Sequence, residues 1–407
     1  MQLRSRGFPS LFALSVLLAG CDRPEHPERD FVVRDSAGVT IVENRRPQPG
    51  VRLGWRIGLA PSLSIGGATG RPAHELFNVT DATRLADGTV VIADAGSGEL
   101  RVFDASGAHR ASWGGRGEGP GEFGSAAPST VGPWPGDSLV ASDTFARRVS
   151  VFSSNGEHGR TFVLESPYYR LRGVLRDGKM FLGNGSSLAS AVVGTGVVRR
   201  EIAYGIARPD GGLYTALGTR PGEEWYVVSE DQGMAVYPQP FARSTLTAVW
   251  GDLVVISPNA RYELRAYDAD GALAMIVRRN HDLRSPTGAD VDEHLAQLYA
   301  DASEEERASA LADLRDMPRV ETFPAFGRIL ADRLDHLWVE EYPLPGNTDG
   351  PTTAWAVFGP NGRMLGQVDT PTALRIFEIG ADYILGSTTD DLGIESVELW
   401  SLDRDES

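Results

Sequence analysis

Short apolar runs separated by glycine, asparagine and aspartate recur along the chain. The clearest starts at the turn Leu85-Ala86-Asp87-Gly88 and rises into Thr89-Val90-Val91-Ile92-Ala93-Asp94. It continues through Leu100-Arg101-Val102-Phe103-Asp104 to Gly107. The same order of turn, apolar strand, polar loop and second strand returns from Gly136 to Gly156, from Gly251 to Gly271 and from Leu337 to Gly362. Weaker copies run from Asp177 to Pro209 and from Tyr383 to Trp400. Alternation closed by Asp-Gly or Asn-Gly turns marks antiparallel hairpins, so the pattern predicts six repeated units of an all-β chain.

A unit of this length holds four strands, the content of a propeller blade. The expected fold is therefore a six-bladed β-propeller of four-stranded antiparallel blades covering 31–402, with a tail at 403–407. The last unit stops after its third strand. Leu63-Ser64-Ile65-Gly66-Gly67, leading to Glu75-Leu76-Phe77, matches Ala111-Ser112-Trp113-Gly114-Gly115, leading to Glu122-Phe123. The stretch near 62–67 is thus expected to supply the missing strand and close the ring. One segment breaks the pattern: in 288–317, Val291, Leu295, Leu298 and Tyr299 fall at helical spacing. Ser303 and Glu306 then form a capping box ahead of Ala308, Leu311 and Leu314. This predicts an acidic helical hairpin between the fourth and fifth blades, either a partner-docking element or lid over one face or an insertion packed on a blade edge.

The first residues carry Arg4 and Arg6, then an apolar run from Leu11 to Leu18 that is too short to span a bilayer. They read as a signal peptide over 1–20. Leu18-Ala19-Gly20-Cys21 resembles the lipobox of bacterial lipoproteins, and Cys21 is the one cysteine in the sequence. The resemblance implies a lipid on Cys21, a cell-envelope location and a membrane held through several acyl chains. Residues 21–30 are then a tether, expected to enter beside the last blade. The repeats, above all Gly115-Arg116-Gly117-Glu118-Gly119-Pro120-Gly121-Glu122-Phe123, resemble NHL-type six-bladed propellers. Asp35-Ser36-Ala37-Gly38-Val39 followed by Ile41-Val42-Glu43-Asn44 is similar to the opening of a lipoprotein-associated propeller group. That resemblance implies a fold and no particular activity.

A net charge of −16 argues against sequence-independent nucleic-acid binding, which needs clustered cations. A monomer is expected. Aligning the units on their second strands places Asp94, Asp143, Asn184, Ser257, Glu341 and Ser387 at one structural position. Asp94, Asp143, Asn184 and Glu341 together would offer oxygen ligands to a divalent cation. The competing reading has each carboxylate capping its own turn or pairing with arginine, for which Arg101, Arg147 and Arg148 are placed. The seven histidines show no paired ligand spacing, and no Gly-x-Ser-x-Gly elbow occurs. The run Gly114 to Gly121 lacks the helix and Lys-Ser/Thr of a phosphate cradle and reads as a linker between blades. Asp268-Ala269-Asp270-Gly271 reads as a hairpin turn. Two functions follow. One is a non-enzymatic binding or scaffold module for a protein, peptide or glycan, without a resident cofactor. The other is a metal-dependent, lactonase-like hydrolase or lyase using the carboxylate ring.

Overall fold

The computed structural model describes residues 30–404 apart from 48–49, 68–69, 125–126, 166, 186–193, 231–232 and 346–349. The signal segment, Cys21 and the tether up to residue 29 lie outside the described residues, as do 405–407. Among the described residues no helix is long and apolar enough to cross a membrane.

Six sheets follow one another along the chain. The first holds Val79–Arg84, Val90–Asp94, Glu99–Phe103 and His109–Gly114, and the second Thr130–Trp134, Ser138–Asp143, Arg148–Ser153 and His158–Val163. The third is built from Arg170–Val174, Met180–Gly185, Gly196–Ala207, Leu213–Glu230 and Gly233–Pro238. Thr245–Trp250, Leu253–Pro258, Glu263–Tyr267 and Leu273–Arg279 make the body of the fourth. Ile329–Ala331, Leu337–Glu340, Thr352–Phe358 and Met364–Pro371 make the fifth. The sixth contains Arg375–Ile379, Tyr383–Thr389 and Glu395–Asp403. Strands consecutive within a sheet pair antiparallel.

The chain's apolar alternation explains how these sheets stack. Each sheet buries both faces, and the buried side chains collect in layers between neighbours. Val91, Leu100, Phe123 and Phe152 fill the layer between the first and second sheets. Trp338, Trp355 and Ile384 fill that between the fifth and sixth. Ile92, Phe103, Leu385 and Val397 join the sixth sheet to the first. The first strands of the six sheets also neighbour one another in cyclic order, the sixth returning to the first. The result is a propeller-type ring around a central channel.

The N-terminal residues wrap the outside of this ring. Phe31–Ser36 and Val39–Asn44 form a hairpin, and Val39–Asn44 adds in parallel to Leu273–Arg279, widening the fourth sheet. Asn44 donates through Nδ2 to the Gly362 carbonyl and accepts from the Met364 amide, reaching the fifth sheet. Leu53 donates its amide to Gln367, and a Cβ at Gly366 would lie 2.7 Å from the Leu53 side chain, so only glycine lets the strap pass there. Leu63–Gly66 then pairs antiparallel with Glu395–Asp403. The expected entry beside the last sheet is therefore corrected. The described chain first meets the fourth sheet and crosses the fifth before reaching the sixth, because the Val39–Asn44 strand finds an open edge on Leu273–Arg279.

The helical hairpin comprises α1, Gly288–Leu298, and α2, Glu304–Asp313. Both start with a capping box, Ser303 with Glu306 and, unrecognised in the sequence, Thr287 with Asp290. Leu295 and Leu314 are buried with Tyr226, against Val228 and Tyr237. The hairpin thus rests on the long Leu213–Glu230 and Gly233–Pro238 extension of the third sheet, although it is inserted after the fourth. The sequence pattern stopped that unit at Pro209 and did not foresee the extension. Leu298 and Leu311 point to solvent, 47% and 40% exposed, so the predicted apolar face is only partly used.

Candidate functional site

Most of the aligned second-strand positions serve the architecture. Asp94 is fully buried; its Oδ1 accepts from the Ser97 amide, and Oδ2 lies 2.8 Å from Arg101 Nε, an ion pair out of line for a hydrogen bond. Arg101 in turn donates to the Pro72 carbonyl at 2.9 Å. Asp143 repeats the device: it accepts from the Ala146 and Gly124 amides, each at 2.8 Å, with Arg148 at 3.7 Å. Arg148 donates to the carbonyls of Gly117, Glu118 and Glu122 at 3.2, 2.8 and 3.2 Å. Each acid therefore holds an arginine that pins the linker entering its sheet. The glycine run is that linker, with Phe123 buried beneath it. Arg147 instead adopts a left-handed turn conformation, φ 54°.

Ser257 accepts from the Arg265 amide at 2.8 Å, Ser387 is buried, and Asn184 keeps a buried Oδ1 without a partner among the described residues. Glu341 is committed to Arg279. Among the described residues no three His, Cys, Asp or Glu side chains gather closely enough to hold a metal ion. Asp268 accepts from the Asp270 and Ala272 amides, as its hairpin turn requires.

Charged groups converge instead on the inner strands, which sequence alignment on the second strands passed over. A cavity of about 540 Å³ lies in the channel and is lined from all six sheets, including Asp81, Arg172, Arg333 and Glu378. In three of these strands the pairing register slips by one residue, between Val79 and Asp81, Leu171 and Gly173, and Ile376 and Glu378. A bulge turns a side chain out of strict alternation, and each slip stands beside one of these charged residues.

Asp81 accepts from the Ala82 amide at 2.9 Å and from the Val131 amide at 3.1 Å, stitching the first sheet to the second. Burial pushes its carboxyl up to about 7, with Glu378 adding to the rise and the two amides and Arg375 opposing it. Its surface is only half-buried, because it borders the channel. Glu378 accepts from Thr83, the Arg84 amide, Tyr383 and Arg333, the last at 2.8 Å, and so joins the sixth, first and fifth sheets. Arg176, at the mouth, pairs with Asp335 and with Asp252 at 3.2 Å.

A second concentration of chemistry lies where the N-terminal strap, the fourth and fifth sheets and the end of the helical insertion meet. Arg279 is buried, with its guanidinium 3.8 Å from the centre of the Tyr262 ring and both terminal nitrogens on Glu341. Gln367 donates to the same carboxylate at 3.1 Å. Burial and the Arg279 charge hold His281 below its ordinary value, so its imidazole is neutral at pH 7. A cavity of about 290 Å³ opens above this pair, lined by Arg46, His281, Arg284, Phe323 and Tyr342 among others. A smaller one of about 160 Å³ lies against α1, lined by Phe241, His294, Pro343, Pro345 and again Tyr342. Burial pushes the Tyr342 phenol up to about 12. Tyr342 lines both cavities.

No protein-family model matches the chain. No curated protein matches it significantly. Among solved structures it is similar to a member of the duf4221 family from Bacteroides vulgatus, at 11% identity over 86% of this chain and 99% of that one, TM-score 0.49. A calcium-binding regucalcin from Agrobacterium tumefaciens shares 10% identity over 81% of this chain and 92% of that one, TM-score 0.37. Virginiamycin B lyase from Staphylococcus aureus shares 9% over 86% and 99%, TM-score 0.36. Likeness at these levels lends no argument about activity, and the architecture stands on the sheet order and the cyclic contacts of this chain.

Proposed function

We propose that the protein is a lipid-anchored, extracytoplasmic binding module. Each sheet is one blade of a six-bladed, NHL-like propeller, and the cavities at Tyr342 take a peptide segment of a protein partner. The observation carrying this reading is the convergence of three non-repeating elements on the cavities at Tyr342: the strap brings Arg46, the helical insertion brings His294, and the segment after it brings Phe323. Repeats alone build a ring; additions that meet at one place build a site. Aromatic and arginine side chains over a buried floor are what protein interfaces concentrate at their centres. Cys21 supports export and anchoring, since a lipobox cysteine carries the acyl chains that hold a soluble ring at a membrane.

The test places a photo-cross-linking amino acid at position 342 of the anchored protein in its producing cells, with Leu59, fully exposed on the strap, as the control position. The expected result is a protease-sensitive adduct formed from position 342 and not from position 59. The same species from both positions, or adducts confined to lipid and glycan, would overturn the peptide-binding reading.

A further inference from the structure

Arg172 stands apart from the other channel arginines. Arg333 is paired with Glu378, and Arg176 with Asp252 and Asp335. Arg172 has no ion pair among the described residues, and its buried Nε has no hydrogen-bond partner. The groups that act on its charge are the Tyr204 phenol and Arg170, neither of them an acid ionised at neutral pH. Tyr204 itself has a buried hydroxyl without a partner among the described residues. A guanidinium does not shed its proton in a protein, so the half-buried Arg172 presents a permanent charge to the channel with no acid paired to it among the described residues.

The local geometry keeps it there. Arg172 is the extra residue of the bulge in Arg170–Val174, between Leu171 paired with Leu182 and Gly173 paired with Phe181. A Cβ on Gly183 would lie 3.0 Å from Arg172 Nε, so the side chain passes over a strand position that offers no competing bulk. It borders the 540 Å³ cavity, a volume in the range of small-molecule sites.

We propose that Arg172 makes the channel a receptor for a small carboxylate ligand with an apolar body. The planar fork of the guanidinium matches a carboxylate through two parallel hydrogen bonds. Val131, Pro133, Val249 and Phe377 line the same cavity and accept the apolar remainder. Asp81 and Glu378 also line it, and their charges disfavour a multiply charged anion such as phosphate. The site is separate from the Tyr342 cavities and does not depend on them.

Thermal unfolding of the mature chain tests this with sodium benzoate and sodium hexanoate as probes, against phosphate and chloride at matched ionic strength. Wild type is expected to gain about tenfold in its folding constant at a carboxylate concentration about ten times its Kd. Arg172→Met should unfold cooperatively without probe and should lose the probe's effect. Arg172→Lys, which keeps the charge without the fork, should keep wild-type stability and lose most of the effect. A probe effect that survives Arg172→Met, a wild type indifferent to both carboxylates, or a larger response to phosphate would each overturn the proposal.

Discussion

The second-strand ends and the inner strands both carry acids, yet they use them differently. Asp94 and Asp143 satisfy amides of their own turns and linkers and hold an arginine that grips the chain arriving from the previous sheet. Asp81 and Glu378 reach sideways to the inner strand of a neighbouring sheet and border an open channel. An acid that recurs at one position of a repeat is there because every copy has the same joint to secure. An acid that appears in one copy only, beside a register slip, is free to serve something other than the joint.

That contrast can be broken by substitution. Asp94→Ala leaves the nearly buried Arg101 with only Glu99, 3.8 Å away, and a loss of about 3 kcal/mol is expected in chemical denaturation. Asp143→Ala, whose arginine is 3.7 Å away, should cost about half as much. Equal and small losses at both positions would show that the joints do not depend on these acids.

Asp81→Asn should act through pH. The folded carboxyl titrates near 7 and the unfolded one near 4, so the folded state holds the extra proton between those values. The wild type's stability is then full below about pH 4, falls as pH rises through that window and is level above about 7. The asparagine variant lacks this decline. Its amide offers one accepting oxygen where the carboxyl offers two, so it should start below wild type at pH 4 and recover about 1–2 kcal/mol relative to it by pH 7, less than the full shift because the channel admits water. Parallel stability curves from pH 4 to 8 would refute the raised carboxyl.

The smallest effect expected is none: a chelator should leave the unfolding midpoint of purified protein unchanged, and metal analysis should find no stoichiometric divalent ion. A bound ion lost on Asp94→Ala or Asp143→Ala would instead restore the carboxylate ring and the hydrolase reading.

The units were legible because their second strands are short apolar runs and their turns are spelled in Asp-Gly and Asn-Gly. The inner strands were not. Bulges at Val79 to Asp81, Leu171 to Gly173 and Ile376 to Glu378 interrupt the period of two, and Ile329–Ala331 is only 3 residues long. The arginine partners of Asp94 and Asp143 could be named from spacing, since a strand's next neighbour is fixed by its turn. The Arg279 and Glu341 pair could not, since those residues sit on different sheets and meet only when the ring is assembled. A charged residue inside an otherwise apolar first strand, such as Asp81 after Val79-Thr80, was the available sign of the channel.

The strap has a consequence for the order of folding. Its strands are the earliest of the domain to be synthesised, yet their partners are Leu273–Arg279, the backbone at Gln367 and Glu395–Asp403. Such pairings raise contact order, and their loop-closure entropy is met before any contact rewards it. The Phe31–Ser36 and Val39–Asn44 hairpin can form at once, but its docking on the fourth sheet and the pairing of Leu63–Gly66 must wait for strands made much later. A nascent chain stopped short of Glu395 would expose an open sheet edge at one end and unpaired strands at the other, the state most exposed to aggregation.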